Sequence, residues 1–196
     1  MDILTYLQPW LASTSPARLL DIGCGTAVEA DPLLATGLIA EFVGVDLDET
    51  AVSQAQSRLP QATFICADAA ALDGDHSYNT ILIRRPDLLA QPDSWQRVFA
   101  NLNGLLTPSG RILVTVIGDG EAAMVRRWLA ANAHPIAHEE TLPLRDETTL
   151  FVADAVAQKA PSPIKMMTFD FAEGEGMYCD PLTGLCVTPE LENTDE

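Results

Sequence analysis

Residues Leu19 to Ala27 read LLDIGCGTA. An aliphatic run delivers Asp21, and within two residues the chain meets Gly23 and Gly25, whose missing side chains permit a tight turn and a close approach of backbone to a ligand. Val28, Leu33 and Leu34 follow at helix-compatible positions. The stretch therefore predicts a strand, a glycine turn and a helix whose free N–H groups and positive dipole end face the turn. In open α/β sheets such a turn cradles a nucleotide.

On the N-terminal side, Asp2 is placed to cap a helix whose apolar residues Ile3, Leu4, Leu7, Trp10 and Leu11 recur with helical spacing. Ser13 to Pro16 forms a turn before the first strand, Ala17 to Ile22. On the C-terminal side, Asp31-Pro32 suits a helix start and Gly37 its end. A second strand, EFVGVD from Glu41 to Asp46, ends on a carboxylate roughly twenty residues after the first glycine, the separation at which an acidic side chain meets ribose hydroxyls. Asp48 caps the next helix, which Pro60 stops. Thr63 to Cys66 reads as a third, buried strand, followed by Ala67-Asp68-Ala69. Thr80 to Ile83 is the fourth strand, and Arg84-Arg85-Pro86-Asp87 stands at its end. A helix carrying Trp95, Val98, Phe99 and Leu102 closes at Asn103-Gly104. Thr107-Pro108-Ser109-Gly110 turns the chain into a fifth strand, Arg111 to Val116. Glu121 to Ala131 is helical, and Ile136 to Val156 holds two strands joined through Leu144 to Glu147 as an antiparallel pair. Five alternations of strand and helix with short loops specify an α/β, doubly wound sheet with helices on both faces.

A chain of 196 residues supplies one core and little more. Its 28 acidic residues against 11 basic ones give a formal charge of −17, so a polyanion meets repulsion over most of the surface and nucleic acid is disfavoured. No charged-then-apolar leader and no apolar run of spanning length is visible, so the expectation is a soluble cytoplasmic protein that does not enter a membrane. Cys24 and Cys66 read as reduced, packing thiols. His76, His134 and His138 do not cluster with carboxylates, so no metal site is expected. The composition changes near Ala160: Pro161 and Pro163 break regular structure, and no basic residue follows Lys165. This divides the chain into a domain at 1–158 and an acidic extension at 159–196. Met166, Met167, Phe169, Phe171, Met177 and Tyr178 predict that the extension docks, as a lid or a partner-binding strand, while the end beyond Thr188 is expected to be disordered. Cys179 and Cys186 flank a Pro-Gly turn, and four readings stay open: a disulfide loop, a redox pair, half of a metal site, or two apolar thiols.

Taken together, these residues resemble the class I S-adenosylmethionine-dependent methyltransferases over roughly Ala17 to Gln158. LLDIGCGTA resembles the family's first motif, VGVDLDE its second, ADAAAL its third, and LLTPSGRILVTV the turn and strand that close its core. The resemblance implies a mostly parallel seven-stranded sheet ordered 3-2-1-4-5-7-6. It implies S-adenosylmethionine as cofactor, held by Asp21, Gly23, Cys24, Gly25, Asp46, Leu47, Asp68 and Ala69, with Asp46 on the ribose and Asp68 on the adenine amino group. Two departures stand out. Ala27 occupies the usual place of a third glycine. Arg84-Arg85-Pro86-Asp87 replaces the Asn/Asp-Pro-Pro-aromatic motif of amino-group methyltransferases, which favours oxygen over nitrogen as the accepting atom. A nicotinamide dinucleotide fits less well, because Val28 stands where that fingerprint wants glycine or alanine.

Methyl transfer is an in-line displacement driven mainly by positioning, so no catalytic triad is required. Cys24 would need a depressed pKa to react, and a small buried role suits it better. Arg84 and Arg85, at the carboxyl edge of the sheet, are candidate ligands for a carboxylate or phosphate on the acceptor. The expected activity is methyl transfer to a small or acidic molecule. A second reading makes the chain a non-catalytic or weakly active cofactor-fold protein that binds a protein partner through its acidic C-terminal extension.

Overall fold

The computed structural model describes residues 3–144 and 147–156, together with the backbone of Tyr178–Cys179 and Cys186–Val187. Seven strands form one sheet: β1 (Ala17–Ile22), β2 (Ile39–Asp46), β3 (Thr63–Cys66), β4 (Tyr78–Arg84), β5 (Leu106–Ile117), β6 (Ile136–Thr141) and β7 (Thr148–Asp154). Their order is β3-β2-β1-β4-β5-β7-β6. The first five run parallel, while β7 pairs antiparallel with both β5 and β6. This is the doubly wound order that the motifs implied, with the last hairpin reversed.

The central strands are apolar on both sides because both sides are covered. Successive side chains of a strand alternate faces, and the core divides accordingly. Leu20, Ile22, Ile81, Ile83, Ile112 and Val114 pack on one face with Val98, Phe99 and Leu102 of α4 (Pro92–Leu105) and Val125, Trp128 and Leu129 of α5 (Gly118–Ala131). Leu19, Leu82 and Leu113 pack on the other with Leu7 and Leu11 of α1 (Ile3–Ser13), Leu33 of α2 (Ala30–Leu34), and Ala55 of α3 (Glu49–Arg58). Asp48 caps α3 by accepting hydrogen bonds from the Thr50 and Ala51 amides.

Several local expectations change. The helix after the glycine turn has only five residues and begins at Ala30, because Ala27 adopts a left-handed φ of 52° and Gly37 one of 68°. No long dipole therefore points at the turn. β3 is an edge strand with exposed Ile65 and Cys66, not a buried one, and Cys66 does not pack as a core thiol. The turn expected at Thr107 to Gly110 lies within β5 as an irregularity: Tyr78 pairs with Leu106, but Thr80 pairs with Arg111. Helix α4 runs through Gly104 to Leu105. It is Gly74 that must lack a side chain here, since a Cβ placed on it would come within 2.4 Å of the Gly104 backbone. The His76 amide donates to the Gly104 carbonyl at 3.0 Å, and Asn101 Nδ2 donates to the carbonyls of Ala69 and Leu72, so this loop lies flat on α4.

Contacts divide the chain into Met1–Gln158 and Lys159–Glu196. In the second unit β8 (Tyr178–Cys179) and β9 (Cys186–Val187) pair antiparallel, with Cys179 opposite Cys186 in backbone register. The apolar segment expected to dock, the end expected to be disordered, the side chains of Cys179 and Cys186 and the expected Asp2 cap lie outside the described residues. Among the described residues no helix is long and apolar enough to cross a membrane.

Two predictions follow from the packing. Gly74→Ala drives a methyl group into backbone that cannot move aside, and should cost about 1–3 kcal/mol in urea unfolding. His134 is buried, with Nδ1 facing the Asp154 carbonyl at 3.1 Å, and burial lowers its pKa. Its contribution to stability is present above the ordinary histidine pKa and lost as pH falls through the lowered folded value. His134→Gln should therefore flatten the fall in Tm between about pH 7 and pH 5.

Candidate functional site

The carboxyl ends of β1, β2, β3 and β4 meet at one edge, and each sequence-predicted side chain except Ala27's neighbourhood is delivered there by a strand end. Gly23 and Gly25 take φ of 73° and 53°, the left-handed region that glycine enters without penalty. The Gly23 and Cys24 amides both donate to the Val45 carbonyl, at 2.8 and 3.1 Å, which presses the turn against β2. Asp46, the last residue of β2, then fixes it: Oδ2 accepts from the Gly25 amide at 2.7 Å and Oδ1 from the Asp48 amide at 3.0 Å. Asp68, beyond β3, caps a single 3₁₀ turn, Ala69–Ala71, with Oδ1 accepting from the Ala70 amide at 2.9 Å.

These groups border a cleft of about 260 Å³ that includes Gly23, Asp46, Leu47, Asp68 and Ala69. Leu47 is 66 % exposed, an apolar side chain left uncovered at the cleft wall. The opposite wall comes from Asp87, Gln91, Ser94 and Trp95. Sequence reading placed Trp95 on a helix and missed this role. Its ring rests on the turn, 3.4 Å from where a Cβ on Gly23 would stand. Glu121 was also read only as helix start. Its carboxylate accepts from the Leu88 amide at 3.2 Å and the Ile117 amide at 3.1 Å, and so ties the segment carrying Asp87 and Gln91 to the end of β5.

A second cavity, about 240 Å³, follows the turn from Gly23 to Glu29 and is completed by Arg84 and Arg85. Cys24 lines this cavity and not the first. Its thiol is pushed up to about 12 by burial, then by the charges of Asp21 and Asp46, so it stays protonated and inert at neutral pH.

Beneath the turn lies Asp21, with no exposed surface. The β1–β4 register sets Asp21 opposite Leu82, so Arg84, two residues on, shares its face of the sheet. Arg84 Nη2 donates to Asp21 Oδ2 at 2.6 Å and Nη1 to Glu29 Oε2 at 2.5 Å. Burial raises the Asp21 pKa, and the Arg84 cation opposes that rise. Burial would lower the Arg84 pKa, but Asp21 and Glu29 outweigh it and raise it. Asp21 Oδ1 and Arg84 Nε are buried without a hydrogen-bond partner among the described residues. The two adjacent arginines are thus separated. Arg84 is engaged in the interior, and Arg85 is exposed, leaving the strand through a φ of 48°.

The sites fit an adenosine carrying a polar, charged tail: carboxylates at two strand ends, an apolar and aromatic wall, and an orphaned buried carboxylate oxygen at the side-chain-free turn. Comparison with known proteins agrees. A sequence model of a methyltransferase domain matches residues 19–110. Trans-aconitate 2-methyltransferase of Variovorax paradoxus is 28% identical over 131 residues, covering 64% of this chain and 50% of that protein. An uncharacterized RNA methyltransferase of Thermosynechococcus vestitus is 35% identical over 73 residues, covering 35% of this chain and 16% of that one. The chain thus spans half or less of these relatives' lengths. An S-adenosylmethionine-dependent methyltransferase from Mesorhizobium loti superposes with a TM-score of 0.63 at 16% identity, covering 76% of this chain and 96% of that chain. The sheet order and the glycine turn agree with these likenesses: residues 19–110 are similar to a methyltransferase domain, and the fold is one shared with an S-adenosylmethionine-dependent methyltransferase.

Proposed function

We propose that this chain binds S-adenosylmethionine along the cleft and transfers its methyl group to an oxygen of a small, acidic acceptor. The observation that carries the reading is the convergence of the glycine turn, Asp46 and Asp68 on one cleft. Each carboxylate has acceptor capacity to spare. An ionised carboxylate offers about four lone-pair sites, and Asp46 spends two of them on the Gly25 and Asp48 amides. The remainder suits the paired hydroxyls of a ribose. Asp68 spends Oδ1 on the Ala70 amide, which leaves Oδ2 for an adenine amino group. Leu47 and Trp95 supply apolar walls for the base and sugar.

The cofactor supplies an electrophilic methyl group on a sulfonium. The protein's part is to hold that centre and exclude competing water, because alignment accounts for most of the barrier reduction in an in-line displacement. Asp21, buried under the turn, is paired with Arg84, which reaches on to Glu29 beyond the turn. The Asp87–Gln91 segment, tied down by Glu121, forms the acceptor side of the edge. An acidic acceptor is supported by the Arg85 side chain on the cavity along the glycine turn, and by the relative named for trans-aconitate, a carboxylic acid. The net charge of −17 weighs against RNA.

Calorimetric titration with S-adenosylhomocysteine tests the cofactor assignment. Asp46→Ala should weaken binding about tenfold or more, the worth of hydrogen bonds to a charged acceptor. Equal affinity in the variant would refute the assignment of Asp46. Tryptophan emission should change on binding, and Trp95→Phe should remove most of that change. Labelled methyl from S-adenosylmethionine should pass to members of a panel of di- and tricarboxylates, as base-labile esters, and not to RNA.

A further inference from the structure

Beside the cavity that follows the glycine turn lies another, of about 130 Å³, between the start of α1 and the stretch that leads through α2. Six apolar residues line it: Ile3, Leu4 and Leu7 from α1, and Val28, Pro32 and Leu33 from the other side. Leu7 and Leu33 are buried, whereas Val28 is 54% exposed and Pro32 is exposed, so apolar surface is left to water at a concave site. The remaining side chains are Glu29 and Arg84. These two and Val28 also line the turn cavity, where Arg85 joins them. The turn cavity in its turn meets the adenosine cleft at Gly23, which borders both. Three cavities therefore stand in series, and their chemistry changes along the row. The first offers carboxylates and an aromatic wall, the second two arginines against one glutamate, the third hydrocarbon. An apolar cavity of roughly 150 Å³ takes a benzene ring, so this one has room for a group of about five or six carbons.

We propose that this pocket holds the apolar body of the methyl acceptor, and that the acceptor is a monocarboxylic acid bearing an aryl or branched alkyl group, with its carboxylate in the turn cavity. This rests on the methyl-transfer reading above and names the acids it would rank first. The charged side chains of the two joined cavities, Arg84, Arg85 and Glu29, leave an excess of one cation, which matches one carboxylate. A second carboxylate on the acceptor would stand against Glu29 or against hydrocarbon, where an unpaired charge is costly. In the transfer, one carboxylate oxygen gives an electron pair to the sulfonium methyl carbon and the C–S pair stays with sulfur. A neutral ester and a neutral thioether result, with no proton to remove. Both charges vanish, so hydrocarbon beside the reacting group carries no penalty for the products. Ile3 and Leu4 line this pocket and neither of the other two cavities, so acceptor choice is separable from cofactor binding.

The experiment is calorimetric titration of the full chain, saturated with S-adenosylhomocysteine, with four probes: phenylacetate, acetate, 2-phenylethanol and trans-aconitate. Acetate lacks the apolar body, 2-phenylethanol lacks the charge, and trans-aconitate adds charge in place of the body. Phenylacetate should bind at least tenfold more tightly than the other three, and should collect labelled methyl from S-adenosylmethionine as its methyl ester. Ile3→Phe fills the pocket and should weaken phenylacetate at least tenfold, while S-adenosylhomocysteine affinity stays within twofold. Ile3→Ala widens the pocket and should shift preference toward 4-ethylphenylacetate by threefold or more, an opposite change that misfolding does not produce. Acetate or trans-aconitate binding as tightly as phenylacetate would remove the apolar subsite and leave the acidic acceptor standing. Equal binding of 2-phenylethanol would overturn the proposal by removing the acid. A phenylacetate preference that survives Ile3→Phe unchanged would place the body elsewhere and overturn it. Equal losses of S-adenosylhomocysteine and phenylacetate in both Ile3 variants would also overturn it, making Ile3 a brace of the turn. No binding of any probe to the saturated wild type would defeat this proposal alone, whereas no binding of S-adenosylhomocysteine would defeat the cofactor assignment with it.

Discussion

A carboxylate with no exposed surface at the end of a central strand is the constraint around which this edge of the sheet is built. Leaving such a group unpaired would cost several kcal/mol, so a cation must reach it without leaving the fold. The parallel register of β1 and β4 supplies one, because residues two apart share a face and Arg84 follows Leu82, the partner of Asp21. The guanidinium then extends to Glu29, just before α2. One side chain therefore links the strand before the glycine turn to the residue after it, and the turn is held at both ends from below.

Asp46 holds the same turn from the side. Its two oxygens take the Gly25 and Asp48 amides, so the residue that faces the cleft also sets the path of the loop and the entry to α3. Ala27 completes the path in a left-handed conformation that costs an L-residue about 1–2 kcal/mol. Its methyl group is wholly buried, and that apolar burial offsets part of the strain. Alanine here thus adopts the left-handed conformation usual for glycine, with its methyl group packed into the core.

The fold was legible wherever a pattern was local. The aliphatic strands, the Asp48 cap and the reversed final hairpin all announce themselves in a few consecutive residues, and the sheet order followed from the motifs. Asp46, Asp68 and the glycines were legible as a set because strand ends of a doubly wound sheet converge by topology. What stayed hidden depended on tertiary neighbours. Gly104 continues a helix that it was expected to end, and the position that has to be glycine is Gly74, whose backbone lies against it from a distant loop. Trp95 carries the same helical spacing as the core residues Val98 and Phe99, and nothing in that period says that it lies on the glycine turn. Glu121 bonds two amides from different loops, a pairing over 33 and 4 residues that no spacing rule records. The exposed edge position of β3 lay in the strand order and not in its composition.

The pair Arg84-Arg85 shows how far adjacency in sequence can differ from adjacency in function. Both arginines stand at a ligand-binding edge, and side by side they read as one clamp. A strand turns successive side chains to opposite faces, so the first arginine goes under the sheet's edge with Asp21, and the second cannot follow it. Arg85 leaves through a left-handed residue, with its amide bonded to the Thr115 carbonyl at 2.8 Å, and is exposed. Both side chains still border the cavity along the glycine turn, Arg84 from its buried ion pair and Arg85 from the exposed rim.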